Sequence, residues 1–226
     1  MAAVDFAIAG AQKSGTTSLR HMLCSHHRIW MPRGECHWFD MPGARPDGLS
    51  DYLLNGDCTP SYMWLERSPP RMAEHNPAMK AICILRHPTD RAWSHYWMER
   101  RRGFESRPFL RAVGDELMER EGQSEIQHVR YSYVERGFYD EQLSRMASFG
   151  IRTLAVGFSL LGRPNELMGT VCEFLGVEPI RTVALHHRRQ KYPEMSRDDR
   201  AFLDDVFADT VSRIFDSTGI DLEEER

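Results

Sequence analysis

No stretch of this chain is apolar for long enough to cross a bilayer, and its amino terminus lacks the charged flank, apolar core and cleavage site of a secretory signal. Cysteine is scarce and unordered. The five cysteines, at 24, 36, 58, 83 and 172, are odd in number and form no Cys-x-x-Cys pair. That excludes a disulfide framework and a zinc knuckle, and predicts reduced, packed thiols. Internal repeats and low-complexity tracts are absent, so the chain is read as one packed unit spanning residues 1–226. Positive charge is not in excess either. Its 29 Lys and Arg against 33 Asp and Glu give a formal net charge of −4, which argues against a general nucleic-acid binder. These absences together lead to the expectation of a soluble, cytoplasmic protein with no membrane or nucleic-acid partner. The basic residues that are present gather in 86–102 and 181–191, enough for a local anion pocket in an acidic chain.

The 226 residues, 41% of them hydrophobic, suffice for a domain that buries roughly 70–75% of its unfolded surface. Apolar patterning predicts strands at 4–9, 81–85 and 151–156 and helices at 15–26, 88–102, 129–149, 165–175 and 197–217. Strands alternating with helices point to an α/β class: a three-layer, P-loop-like fold with a mainly parallel central sheet flanked by helices. Ligands in such folds sit at the carboxyl ends of the strands. Residues 41–50, rich in Pro, Gly and Asp, read as a surface loop. The weakly patterned, charged segment 103–123 reads as a mobile lid, and the acidic run 223–225 as a solvated tail.

The first predicted strand runs through Gly10 into Ala11-Gln12-Lys13-Ser14-Gly15 and then directly into Thr16-Thr17-Ser18 at a helix start. Amide groups there have no intrahelical partner and lie at the positive end of the helix dipole, so the segment is a cradle for phosphate or sulfate. Thr16 stands where a nucleoside-triphosphate loop carries its lysine, and Lys13 lies inside the loop instead. A second strand ends at Arg86, followed by His87-Pro88. Ser94 lies eight residues beyond Arg86, a little over two helical turns, and can face the same pocket. Two anion sites at neighbouring strand ends suit a nucleotide charged at both its 5′ and 3′ ends.

In these two motifs, and in their order, the chain resembles the sulfotransferases that use 3′-phosphoadenosine 5′-phosphosulfate. Gln12-Lys13-Ser14-Gly15-Thr16-Thr17-Ser18 resembles that family's 5′-phosphosulfate loop, and Leu85-Arg86-His87-Pro88 through Ser94 its 3′-phosphate motif. Further likenesses point to the glycosaminoglycan-type branch. Glu35-Cys36-His37-Trp38-Phe39-Asp40 resembles a segment whose glutamate is the catalytic base. Gly56-Asp57-Cys58-Thr59-Pro60-Ser61-Tyr62 resembles a Glu-Lys-Thr-Pro-x-Tyr segment, and Arg188-Arg189-Gln190-Lys191-Tyr192-Pro193 a late loop that closes over the cofactor. Cys58 departs from the pattern by occupying a lysine position. In the late loop Arg189 replaces a glycine and Gln190 an arginine.

The resemblance implies in-line sulfuryl transfer to a hydroxyl, or second an amine, of a saccharide or small natural-product acceptor. Glu35 is then the base, with Lys13 offsetting charge on the leaving phosphate, and no metal is called for. Ser14, Gly15, Thr16, Thr17, Ser18, Arg86, Ser94, Arg188, Lys191 and Tyr192 are the expected cofactor contacts. His37 is the competing base. Two residues along an extended strand it would point away from Glu35, which gives it a packing role first. Trp93, Tyr96 and Trp97 are read as core. The alternatives are a P-loop kinase, which should carry lysine at 16 and an acidic strand end, and a noncatalytic nucleotide-binding scaffold, suggested by Cys58.

Overall fold

The computed structural model describes residues 2–51, 53–118, 125–182 and 191–226. Five strands form one sheet: β1 (Phe6–Gly10), β2 (Ile29–Trp30), β3 (Leu54–Cys58), β4 (Lys80–Leu85) and β5 (Arg152–Gly157), in the order β2-β3-β1-β4-β5. Every pairing is parallel, with Ile8 opposite both Cys58 and Ile82, and Leu85 opposite Gly157. Parallel strands covered on both faces read as continuous apolar runs, as β1 and β4 do. Along β1, Ala7 and Ala9 face one core with Ala81, Cys83 and Leu85 of β4, while Phe6 and Ile8 face the other with Ile82 and Ile84.

The helices close those two faces and make the three layers. Leu19 and Leu23 of α1 (Thr16–Cys24) and Leu167 and Val171 of α7 (Pro164–Leu175) pack on one side. Met72 of α2 (Ser68–His75), Met146 of α6 (Tyr139–Ser148) and Ile214 of α8 (Arg197–Thr218) pack on the other. A third, aromatic cluster lies beyond the sheet. There α3 (Pro88–Arg101), entered through Pro88 at its first turn, meets α4 (Phe109–Met118) and α8 through Trp93, Tyr96, Phe109, Tyr133 and Phe207. The expectation that Trp93 and Tyr96 are core matches this packing.

The structure departs from the sequence reading in several places, and β2 and α2 are short elements which that reading did not include. Residues 129–149 are not one helix but α5 (Glu125–Tyr131), a 3-10 turn at Glu135–Gly137, and α6. The break is held by Glu116 of α4, whose carboxylate accepts the N–H groups of Val134 at 2.8 Å and Glu135 at 2.8 Å, replacing their helical bonds. A Cβ on Gly137 would also stand 2.5 Å from the Phe207 ring.

The segment 103–123 is not a loose lid through its described part. Phe109, Ala112 and Val113 of α4 are buried, and Arg107 ties Glu105 at 2.7 Å to Asp115 at 2.9 Å; residues 119–123 lie outside the described ones. β3, missed by its polar Leu-Asn-Gly-Asp-Cys sequence, fits because a Cβ on Gly56 would lie 2.2 Å from the Phe6 ring. The acidic run 223–225 is not a solvated tail. It belongs to a 3-10 turn, Leu222–Glu225, in which Leu222 and Glu225 are buried.

Candidate active site

Between β1 and α1 the chain forms a tight loop at the carboxyl end of the sheet's central strand. Ala11 N–H reaches the Ile84 carbonyl at 3.0 Å and Ser14 N–H the Ala11 carbonyl at 3.1 Å. Gly15 caps α1 with a left-handed φ of 86°, and a Cβ there would meet the Leu161 side chain at 2.2 Å, so only glycine fits. The N–H groups of Lys13, Gly15, Thr16 and Thr17 have no backbone acceptor among the described residues. This is the open helix start the sequence predicts, with Ser14 fully buried, Thr16 buried, Ser18 half-buried and Thr17 exposed.

Lys13, itself at a left-handed φ of 71°, lies against α3, with Nζ 3.7 Å from Met98 Sδ. Its pKa is lowered to about 8, first by burial and then by the nearby Arg101, Arg102, Arg86 and Arg91 in that order. Neither Lys13 nor Arg86 has a carboxylate partner among the described residues. Asp90, four residues beyond Arg86, is taken instead by Arg200 at 2.8 Å. The Arg86 guanidinium stands over the Phe158 ring at 5.0 Å, and its Nε is buried without a hydrogen bond. Ser94 is buried on α3, and beside Arg86 an open hollow of about 410 Å³ is lined also by Asp90, Arg200, Asp204 and Arg226. Arg91 is fully buried, with Nε and Nη1 unpartnered among the described residues. Lys13, Arg86 and Arg91, gathered without carboxylate partners among the described residues, favour an anionic ligand.

On the other side of the cradle, residues 35–44 cross the end of β3 as a strap. Thr59 Oγ1 accepts the His37 N–H at 3.3 Å and the Tyr62 hydroxyl accepts the Trp38 N–H at 2.9 Å. Both hydroxyls in turn donate to the buried Asp57 carboxylate. Arg71 of α2 donates to the carbonyls of Trp38, Phe39, Met41 and Ala44 at 2.8–3.2 Å, and Arg20 of α1 to those of Pro32 and Arg33.

At the head of the strap, Glu35 is about half exposed, its side chain at 53%. Desolvation raises its pKa, with Asp40 and Asp57 adding to the rise and His37 and Arg136 opposing it. His37 does not point away from Glu35. Its left-handed φ of 55° breaks the extended alternation and sets Nε2 3.5 Å from Glu35 Oε2 and Nδ1 2.9 Å from Asp40 Oδ2. The Asp40 hydrogen bond raises the pKa of His37, and Ser61 also donates to that carboxylate. The arrangement can offer an acceptor hydroxyl a carboxylate base beside an imidazole. Sequence reasoning missed the strap's anchors, Asp57, Thr59, Tyr62 and Arg71. The Asp57–Tyr62 motif was the signal for the first three.

Cys58 is buried beneath the cradle, its thiol 3.7 Å from the Thr16 carbonyl, and burial pushes its pKa far up, so it is a neutral packing group. Of the late loop, Arg188 lies outside the described residues. Lys191 is exposed, Tyr192 packs half-buried on the aromatic cluster, and Trp93 Nε1 donates to the Pro193 carbonyl at 2.9 Å.

No protein-family model matches the chain. It is 28% identical over 253 residues to the bifunctional heparan sulfate N-deacetylase/N-sulfotransferase 1 of Mus musculus, a match covering 89% of this chain and 28% of that protein. It is 30% identical over 99 residues to the heparan sulfate glucosamine 3-O-sulfotransferase 5 of Mus musculus, covering 39% of this chain and 29% of the other. The chain thus spans under a third of the length of these curated relatives. The crystal structure of a sulfotransferase from Alicyclobacillus acidocaldarius matches the whole fold, with a TM-score of 0.85 at 26% identity and 100% of both chains covered.

Proposed function

We infer that this chain, which belongs with the sulfotransferases by sequence likeness and fold, moves a sulfuryl group from 3′-phosphoadenosine 5′-phosphosulfate to a hydroxyl of a saccharide or natural-product acceptor. An amine is the second acceptor class. The observation that carries the reading is the arrangement of two cations without a carboxylate partner among the described residues, Lys13 at the open helix start and Arg86 at the end of β4, at the ends of adjacent strands. A donor charged at both 5′ and 3′ ends fits this pair. Among the described residues the open amides, the buried Ser14 hydroxyl and the buried Arg86 Nε lack partners that phosphate or sulfate oxygens can supply.

The bound donor supplies the sulfuryl group. Lys13 and the amides of residues 13 and 15–17 would bind its 5′ end, and Arg86 with Ser94 its 3′-phosphate. Glu35 takes the proton of the acceptor hydroxyl as the oxygen–sulfur bond forms and the bond from sulfur to the phosphate oxygen breaks. Lys13 offsets the charge gathering on that oxygen. Raised basicity suits Glu35 to this task, and His37, fixed by Asp40, holds the carboxylate in place. Arg188, Lys191 and Tyr192 remain the proposed closing loop. The saccharide acceptor is favoured because the curated relatives act on heparan sulfate.

A noncatalytic nucleotide binder is the second reading, favoured by the neutral thiol of Cys58 in a lysine position. Turnover of the donor with a panel of glucosamine-containing oligosaccharides separates the two. Sulfated product that disappears in Glu35→Gln supports transfer; tight donor binding with no product from the parent favours the noncatalytic reading, and product undiminished in Glu35→Gln removes the proposed base.

A further inference from the structure

Among the described residues no carboxylate aims Arg86, so other contacts set its direction. Its carbonyl accepts the Tyr139 hydroxyl at 3.0 Å, and its guanidinium rests on the Phe158 ring at 5.0 Å. Phe158 opens a 3-10 turn, Phe158–Gly162, which follows β5 directly. That turn is held from a distant part of the chain. The Glu225 carboxylate accepts both the backbone N–H of Ser159 and its hydroxyl, the latter at 2.9 Å. The Glu225 carbonyl accepts the N–H of His87, the residue next to Arg86, at 3.1 Å, and Glu223 meets His87 Nε2 at 3.2 Å.

One buried residue therefore ties the backbone after Arg86 to the turn under its guanidinium. Residue 157 is shaped for this contact: a Cβ on Gly157 would stand 2.0 Å from Glu225 Oε1. The same turn reaches the 5′ cradle through Leu161 at Gly15, but the cradle has anchors of its own in the Ala11–Ile84 and Ser14–Ala11 backbone bonds. Arg86 has fewer, so loosening the turn falls more heavily on the 3′ side.

We propose that Glu225 is a positioning residue for 3′-phosphate recognition, holding the Phe158–Gly162 turn so that its ring aims Arg86 at that group. The inference rests on the sulfotransferase reading above. Its test is the ratio of two affinities measured by calorimetry, for 3′-phosphoadenosine 5′-phosphate and for adenosine 5′-phosphate. In Glu225→Ala the ratio falls about tenfold, the equivalent of roughly 1.4 kcal/mol, while affinity for the monophosphate changes little. Ser159→Ala, which keeps the backbone leg, lowers it less and decides the matter if Glu225→Ala does not fold. Glu224→Gln, on the exposed side of the same turn, leaves it unchanged.

Equal loss for both nucleotides in the Glu225 and Ser159 variants would reduce the contact to general stability and overturn the proposal, as would an unchanged ratio. A parent protein with a ratio near one removes instead the reading on which the proposal rests.

Discussion

Tyr62→Phe removes one oxygen and tests whether the strap is what presents Glu35. The hydroxyl is fully buried, donates to the Asp57 carboxylate and accepts the Trp38 N–H at 2.9 Å. Its loss takes a hydrogen bond from a charged group, about 1.5–3 kcal/mol, and leaves a buried amide unsatisfied, about 1–3 kcal/mol. Allowing for partial relaxation, the expected cost is about 3–5 kcal/mol, or roughly 6–20 °C in Tm for a domain of this size.

The cost should depend on pH. Burial raises the pKa of Asp57, and the Tyr62 hydrogen bond holds it back, so the variant's carboxyl titrates higher than the parent's. The difference in stability is then largest above both pKa values and shrinks as the pH falls through the variant's value toward the parent's. Thermal melts from neutral to mildly acidic pH read this directly, and turnover at a temperature where both proteins are folded should fall more than nucleotide affinity. A Tm within about 2 °C of the parent at every pH, less than the loss of even one such bond predicts, would refute the strap's anchoring through Asp57.

Glu35→Gln should lower turnover by roughly 10²–10⁴-fold with nucleotide affinity near normal, measured by steady-state kinetics and calorimetry. Should Glu35→Gln stay active while His37→Ala is dead, the base is the imidazole. Because Lys13 has a pKa of about 8, parent affinity for 3′-phosphoadenosine 5′-phosphate should decline as pH rises through that value, and Lys13→Ala should flatten the decline. In single-turnover kinetics the same variant should slow the chemical step by roughly 10²–10³-fold. Cys58→Lys should lower Tm without raising turnover, since the thiol is enclosed beneath the Thr16 carbonyl; a large gain in turnover would show that an ammonium fits there after all.

What could be read from the sequence was what local pattern dictates. The apolar runs of β1 and β4, the glycine at 15 and Pro88 set out both anion motifs on adjacent strands before any tertiary contact is known. What could not be read depended on partners far along the chain. β3 carries Asn55, Gly56 and Asp57, chosen for the Ser50 loop, the Phe6 ring and the Tyr62 hydroxyl and not for hydrophobicity. The break at 132–138 is made by Glu116, and Glu225 of the acidic turn is buried where it accepts hydrogen bonds from Ser159. His37 was misdirected by assuming an extended strap, where a left-handed φ turns its ring back toward Glu35.

The central claim, two anion sites built for one nucleotide, is tested most directly by titrating the parent protein with 3′-phosphoadenosine 5′-phosphate, adenosine 5′-phosphate and ATP with magnesium. The account predicts that the 3′,5′-bisphosphate binds at least about tenfold tighter than the monophosphate, consistent with one charge-assisted contact of about 1.5–3 kcal/mol at Arg86. It also predicts that Arg86→Ala abolishes this advantage. Equal affinity for the two adenylates, or a clear preference for ATP with magnesium, would contradict it.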